Sequence, residues 1–222
     1  MNTGGPPDAA GLDGKTWPTV RKEALAFAAE DPADAVAHLE ALFARPEWEP
    51  RFFAVCAVGP LAATDPAALR ALRAFAASEP DWQINEGLAF AFDDYCAGVG
   101  YEQALPEIRS WLGSEHANQR RTVSEGLRRW TDARRPYFHH HPDEAVALLA
   151  TLRGDDSPYV QKSVGNAMRD IWKAHPDLVL EAVRAWVGEE PGSRGRRTIA
   201  RLALKAAVID DPELEALWRP PR

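Results

Sequence analysis

Apolar residues recur along this chain at intervals of three and four, and no stretch sustains apolar–polar alternation. That period belongs to amphipathic helices, so an all-α chain is expected. The pattern predicts helices over 16–30, 33–45, 49–62, 66–77, 82–97, 102–113, 117–131, 143–153, 158–174, 176–187, 193–208 and 211–218. Asp31-Pro32, Asp65-Pro66, His141-Pro142, Ser157-Pro158, His175-Pro176 and Asp211-Pro212 each place a proline where a helix can begin. The N–H that proline lacks has no partner in a first turn anyway. Gly98, Gly100, Gly113, Gly154 and Gly188 fall at the expected ends. Connections are short, so consecutive helices should pack antiparallel. The long connection runs from Thr131 to Pro142 and contains Arg-Arg-Pro-Tyr-Phe-His-His-His. A longer loop in one repeat often lies on the working face.

Several of these helices carry the same text. Trp82-Gln-Ile-Asn-Glu-Gly-Leu-Ala89, Arg120-Arg-Thr-Val-Ser-Glu125, Tyr159-Val-Gln-Lys-Ser-Val-Gly-Asn166 and Arg196-Arg-Thr-Ile-Ala-Arg201 align on Leu88, Val123, Val164 and Ile199, in steps of 35, 41 and 35 residues. A weaker copy starts at Glu47-Trp48, 34 residues before Asp81-Trp82. Self-similarity at this spacing predicts a right-handed superhelical solenoid of HEAT-like helix pairs. One helix of each pair would line a concave wall, so equivalent positions should form a row. The alignment puts Glu86, Arg121, Lys162 and Arg197 at one station, and Phe90, Glu125, Asn166 and Arg201 one turn later. These are mostly polar or charged positions inside otherwise apolar helices.

Composition adjusts this picture in few places. At 222 residues, 45% hydrophobic and 27% charged, the chain suits a soluble globular protein. Residues 1–15, rich in Gly, Pro and Asp, read as a disordered lead-in rather than a signal peptide, and 16–222 as a single repeat domain. No apolar run is long enough to span a membrane. Cys56 and Cys96 sit inside apolar helical patterns and read as small buried residues in a reducing cytoplasm. The net charge is −7, but residues 1–117 carry 8 Lys/Arg against 18 Asp/Glu, whereas 118–222 carry 18 against 15. Basic residues cluster at Arg120, Arg121, Arg128, Arg129, Arg134 and Arg135, and again at Arg194, Arg196, Arg197, Arg201 and Lys205. A solvated helix face is the bland explanation; recurrence at equivalent stations favours a surface for an anionic partner.

The candidate chemistry lies in the row. Trp82 and Glu86 are four apart and share a helix face. An Arg121–Glu125 pair explains that helix as a weak intrahelical salt bridge, but Glu86 beside an indole has no such explanation. A carboxylate and an aromatic ring flanked by Arg and Lys suit a cationic group on a polyanion. His139, His140 and His141 point in different directions, so a metal site is disfavoured against a surface loop. Tyr137 and Phe138 are expected to pack that loop onto its repeat. No Gly-rich phosphate loop, Ser/His/Asp arrangement or cysteine nucleophile is visible.

Three stretches resemble the HEAT-like bacterial DNA alkylation repair family, the AlkD and AlkC types of alkylpurine DNA glycosylase. They are Asp81 to Ala89; Arg120 to Arg128 with Arg135-Pro-Tyr-Phe138; and Tyr159 to Asp170 with His175-Pro-Asp-Leu-Val179. The similarity covers roughly 16–208. It implies a solenoid that wraps duplex DNA and hydrolyses the N-glycosidic bond of N3- or N7-alkylated purines, with no metal or organic cofactor. Trp82 and Glu86 match the family's aromatic–acid pair, with Glu in place of Asp. Arg121 matches an Arg before Thr. Arg169 is retained, while Asn166 stands where the AlkD type has a second Trp. Ser124-Glu125-Gly126 matches the acidic position of the AlkC type, whose following Thr-Arg-Pro-Arg-Leu-Pro-Trp run is absent.

The resemblance therefore implies Glu86 first and Glu125 second as the acid, with Trp82 beside the developing cation. Arg120, Arg121, Lys162, Asn166, Arg169, Arg197 and Arg201 are candidate DNA contacts. The expected partner is double-stranded DNA with alkylated purines, engaged by a monomer in the bacterial cytoplasm at the nucleoid. Two other classes stay open: a DNA-binding or damage-sensing solenoid without catalysis, which Asn166 favours, and a protein-interaction scaffold, which the acidic first half favours.

Overall fold

The computed structural model describes residues 8–30, 32–205, 207 and 211–219. These form α1 (Trp17–Ala29), α2 (Ala35–Phe43), α3 (Trp48–Leu61), α4 (Pro66–Ser78), α5 (Trp82–Val99), α6 (Tyr101–Leu112), α7 (Ala117–Gly126), α8 (Tyr137–His140), α9 (Pro142–Ala150), α10 (Pro158–Trp172), α11 (Pro176–Glu189) and α12 (Arg194–Leu204). Short 3-10 turns lie at Ala10–Leu12 and Pro212–Leu217, and no strand occurs among the described residues. The chain divides into two compact units, 1–105 and 106–222. The single repeat domain expected from residue 16 onward remains a proposal.

Local chemistry places the starts. Asp65 accepts from the Ala67 N–H at 2.7 Å and Asp81 from the Gln83 N–H at 2.8 Å, opening α4 and α5. Ser157 and Ser193 cap α10 and α12 in the same way. Each cap satisfies a donor that the first turn leaves without a partner. Pro66, Pro142, Pro158, Pro176 and Pro212 stand in first turns as expected. Pro32 does not: α2 opens three residues later, after Asp34 in a left-handed conformation at φ 59°.

In the first unit α1, α3 and α5 pack in succession, with α2 and α4 against α3. Helix α3 is buried from Phe52 to Gly59, because it has neighbours on every side. In the second unit α7, α10 and α12 pack in succession, α9 and α11 contact α10, and α11 contacts α12. The aligned apolar residues Leu88, Val123, Val164 and Ile199 are all buried.

Small residues beside that station allow the close packing. A Cβ on Gly59 would lie 2.5 Å from the Ala91 carbonyl oxygen, and one on Gly87 would lie 2.9 Å from the Phe52 ring. One on Gly165 would lie 2.6 Å from Leu202 Cβ and 3.1 Å from the Ile199 carbonyl oxygen. Ser124 and Ser163 meet at 2.6 Å where α7 crosses α10.

Several boundaries differ from expectation. The helix expected over 117–131 stops at Gly126, where the Thr131 hydroxyl donates to the Glu125 carbonyl at 2.9 Å and turns the chain. The long loop contains α8, started by Pro136, whose carbonyl accepts from His139 and His140. The element expected over 211–218 is 3-10 rather than α. Helix α12 ends at Leu204, and part of its expected extension, at 206 and 208, lies outside the described residues. Residues 1–7 of the expected disordered lead-in also lie outside them. From Asp8 onward the lead-in is ordered: Leu12 is buried, and Lys15 pairs with Glu23 at 2.7 Å.

Gly165→Leu should destabilise the chain by about 1–3 kcal/mol, since backbone stands in the way and overpacking cannot relax there. Gly188 has nothing within 4 Å of its would-be Cβ. Gly188→Ala should therefore be neutral or stabilising by up to about 1 kcal/mol. Urea midpoints at unchanged slope measure both.

Candidate functional site

Helix α5 begins at Trp82, so Trp82, Glu86 and Phe90 form one stripe along it. Trp82 is 61% exposed and is the exposed large apolar residue among those described. Glu86 and Phe90 are half-buried. Helix α1 flanks the stripe with two residues also four apart. The Trp17 ring lies 6.0 Å from that of Trp82 at 49°, and the Arg21 guanidinium lies 4.7 Å over Phe90. Trp17 also stacks on Phe52 at 5.1 Å and lies 6.4 Å from Trp48. The first residues of α1, α3 and α5 thus form an indole cluster with Trp82 at its open edge. Burial alone would lower the Arg21 pKa, but the hydrogen bond and charge of Asp94, at 2.9 Å, outweigh it and raise it. A fixed cation therefore stands one turn along from the paired indoles.

The residue immediately before the row has a different duty. Asn85 donates to the Glu79 and Asp81 carbonyls at 3.1 and 2.8 Å. Arg120 donates to the Ser114 and Glu115 carbonyls at 2.8 and 3.0 Å. Gln161 donates to the Asp155 carbonyl at 2.8 Å, and Arg196 to the Trp186 carbonyl at 2.7 Å. In these four repeats this station staples the helix to the segment before it. Arg120 also grips Asp155 at 2.6 and 3.0 Å, and its three guanidinium nitrogens are engaged within the fold. Within the fold Arg120 thus acts as a staple between α7, the segment before it and Asp155. The sequence signal was the recurrent amide or guanidinium one residue before the row, hidden by the neighbouring Arg121.

The row itself differs from helix to helix. On α7 Arg121 is buried, with its guanidinium 4.3 Å from the Tyr159 ring centroid. On α10 Lys162 is exposed, while Asn166 and Arg169 are half-buried. On α12 Arg197 is half-buried and donates to the Pro191 carbonyl, and Arg201 is exposed. The crossings at Ser124–Ser163 and Gly165–Leu202 hold these three helices in matched register.

Glu125 is buried and accepts from Arg128 at 2.5 Å and from the Trp130 indole N–H at 2.9 Å. Helix α7 ends one residue after Glu125, and the turn that follows folds Arg128 back onto its carboxylate. Arg128 also bonds Asp170 at 2.9 and 3.0 Å, clamping α7 to α10. Burial would raise the Asp170 pKa; the hydrogen bond from Lys173 and the charge of Arg128 outweigh it and hold it below the usual range.

Tyr137 and Phe138 are buried, with the Tyr137 hydroxyl 2.7 Å from Glu144, so they pack the loop down. No group of three His, Cys, Asp or Glu side chains able to hold a metal occurs among the described residues. Cys56 and Cys96 are free and buried, and burial pushes the Cys56 thiol up to about 12, leaving it unfit as a nucleophile. No helix of the described residues is long and apolar enough to cross a membrane.

Residues 12–209 match the sequence profile of the DNA alkylation repair enzyme family. The chain belongs to that family. It is similar to the crystal structure of AlkD2 from Streptococcus mutans, with a TM-score of 0.78 and 34% identity over 87% of this chain and 91% of that one. A second solved structure, smu.31 from Streptococcus mutans UA159, gives a TM-score of 0.76 and 35% identity over 85% and 91%. The uncharacterized protein YhaZ of Bacillus subtilis (strain 168) is 36% identical over 95 residues, 40% of this chain. That match spans 26% of the Bacillus protein, about a quarter of its length. These likenesses bear out the all-α, HEAT-like helical-repeat fold class read from the repeats.

The depressed Asp170 pKa has a consequence for acid stability. The stabilisation it carries is present above the unfolded carboxylate pKa, about 4. It is lost as pH falls through the lower folded value. Asp170→Asn should be less stable than the parent at neutral pH and should lose less between about pH 5 and 2. Urea midpoints across that range test it.

Proposed function

We propose that this protein binds duplex DNA and hydrolyses the N-glycosidic bond of N3- or N7-alkylated purines. Membership of the DNA alkylation repair family supports the repair role, and the observation that carries the chemistry is the Trp82–Glu86 stripe. An alkylated purine is cationic and leaves with the electrons of its glycosidic bond, turning the sugar into an oxocarbenium-like cation. Glu86, half-buried one turn from an open indole, stabilises that cation and accepts a proton from the water that adds to the sugar. Trp82 offers its π face to the cation, worth about 0.5–2 kcal/mol according to desolvation. Trp17 supplies a second indole beside it, a counterpart for the aromatic absent at Asn166.

Glu125 is the weaker choice. It is buried at the end of α7, where it accepts from Arg128 and from the Trp130 indole N–H, and no open aromatic ring stands one turn before it on its helix. The exposed Lys162 and Arg201, with Arg169 and Arg197 beside them on α10 and α12, suit phosphates, which position DNA without reading its sequence. Arg121 is buried against the Tyr159 ring at the start of α10.

Glu86→Gln should abolish release of 7-methylguanine and 3-methyladenine from methylated duplex DNA while binding persists; undiminished release would remove Glu86 from the reaction. Wild-type binding with no release would favour the damage-sensing reading that Asn166 suggests. Lys162→Ala and Arg201→Ala should each weaken duplex binding and reduce the salt slope by roughly one. Arg120→Ala should lower the melting temperature and leave the salt slope unchanged.

A further inference from the structure

The histidine run of the long loop takes no part in the chemistry above, and the fold gathers it with basic neighbours. Helix α8 carries His139 and His140, with ring centroids 5.8 Å apart. His175, just after α10, brings a third ring to 6.1 Å from His139. His139 and His175 are half-buried, His140 and Arg129 are exposed, and Arg134 and Arg135 stand exposed on the same loop. The His139 Nδ1 atom is buried and lacks a hydrogen-bond partner within the protein. The charged groups that act on it are Arg129 after α7, His140 on α8, Asp170 on α10 and His175 beyond that helix. The carboxylate among them is engaged, Asp170 pairing with Arg128 and with Lys173 at the end of α10.

We infer that His139, His140, His175 and Arg129 form a binding site for a phosphate-class oxyanion, taken up together with protons on the imidazoles. Two rings about 6 Å apart can both donate to one tetrahedral anion, each N–H reaching about 2.9 Å. A metal fits poorly, because a guanidinium acts on His139 and the carboxylate that also acts on it, Asp170, is already paired with Arg128 and Lys173. Burial, Arg129 and the other two histidines hold the His139 pKa below its usual value, with Asp170 only partly opposing them. A site of this kind is short of negative charge, and an anion relieves the repulsion. Because the bound anion raises the imidazole pKa values, affinity rises as pH falls through the histidine range. The reading of this chain as a DNA-binding protein supplies one source, a backbone phosphodiester; free phosphate is the other.

The test follows the six histidine rings by proton NMR as a function of pH, using the full chain alone, with a plain 20-base-pair duplex, and with inorganic phosphate. His139→Gln and His175→Gln serve for assignment. Duplex binding is checked separately by fluorescence anisotropy. The expected result is a rise in the His139 and His175 midpoints of roughly half a unit or more, about threefold in proton affinity, with His38 and His116 unmoved. A rise with duplex assigns the site to nucleic acid. A rise with phosphate alone keeps the site and assigns it to a free anion; if anisotropy then shows no duplex binding, the DNA reading fails separately. Midpoints unmoved in both arms overturn the site.

Discussion

The structure depends on how closely the successive helices of each unit can approach. That distance is set by side chains reduced to almost nothing at the crossings. Gly59 lies against the Ala91 backbone, Gly87 against the Phe52 ring, and Gly165 against Ile199 and Leu202. At Ser124 and Ser163 the contact is a hydrogen bond between two small hydroxyls. Dense packing leaves no room for a methylene at such points. A fixed approach also means a fixed register, and register decides which side chains of neighbouring helices come abreast. The repeated text is thus a packing requirement, small residues flanking one buried apolar residue, and the polar row follows the register it imposes.

Register also separates two duties that lie side by side in the sequence. One station in four of the repeats turns back to carbonyls of the preceding segment, through Asn85, Arg120, Gln161 and Arg196. The next station, 100° around the helix, holds Glu86, Arg121, Lys162 and Arg197. A guanidinium serves both duties equally well, satisfying buried carbonyls or holding phosphates. On α7 position in the turn separates them, Arg120 bonding carbonyls and Arg121 lying against Tyr159, whereas on α12 Arg197 shares the carbonyl duty of Arg196 by reaching Pro191.

Much of this was legible before any coordinates. Helical period, first-turn prolines and the aligned Leu88, Val123, Val164 and Ile199 foretold the helices and which face is buried, because burial and capping act locally and leave a periodic trace. What escaped was long-range. Helix α8 is too short to show a period. Spacing offers Arg121 as a partner for Glu125, yet the end of α7 folds Arg128 and Trp130 onto it. Trp17 is 65 residues before Trp82 and gave no periodic hint that their rings meet.

Charge counting misleads in a related way. The second half of the chain is net positive, but a large share of its arginines are committed internally: Arg120 to Asp155, Arg128 to Glu125 and Asp170, Arg153 and Arg196 to Glu189. Partly buried pairs of this kind hold segments together and contribute little field at a distance, since each cation is cancelled a few ångströms away. On the proposed reading, attraction for a polyanion would come from cations at the surface, among them Lys162, Arg201 and Arg129, with Arg134 and Arg135 exposed but sharing one carboxylate, Asp132. These fall into two groups, one on the α10–α12 stack and one on the loop that carries α8. Phosphate contacts made by both groups would each release counterions, so the salt slope for duplex binding should exceed what α10 and α12 alone provide. Arg129 and Arg134 replaced together would then reduce it without touching the helices that carry the row.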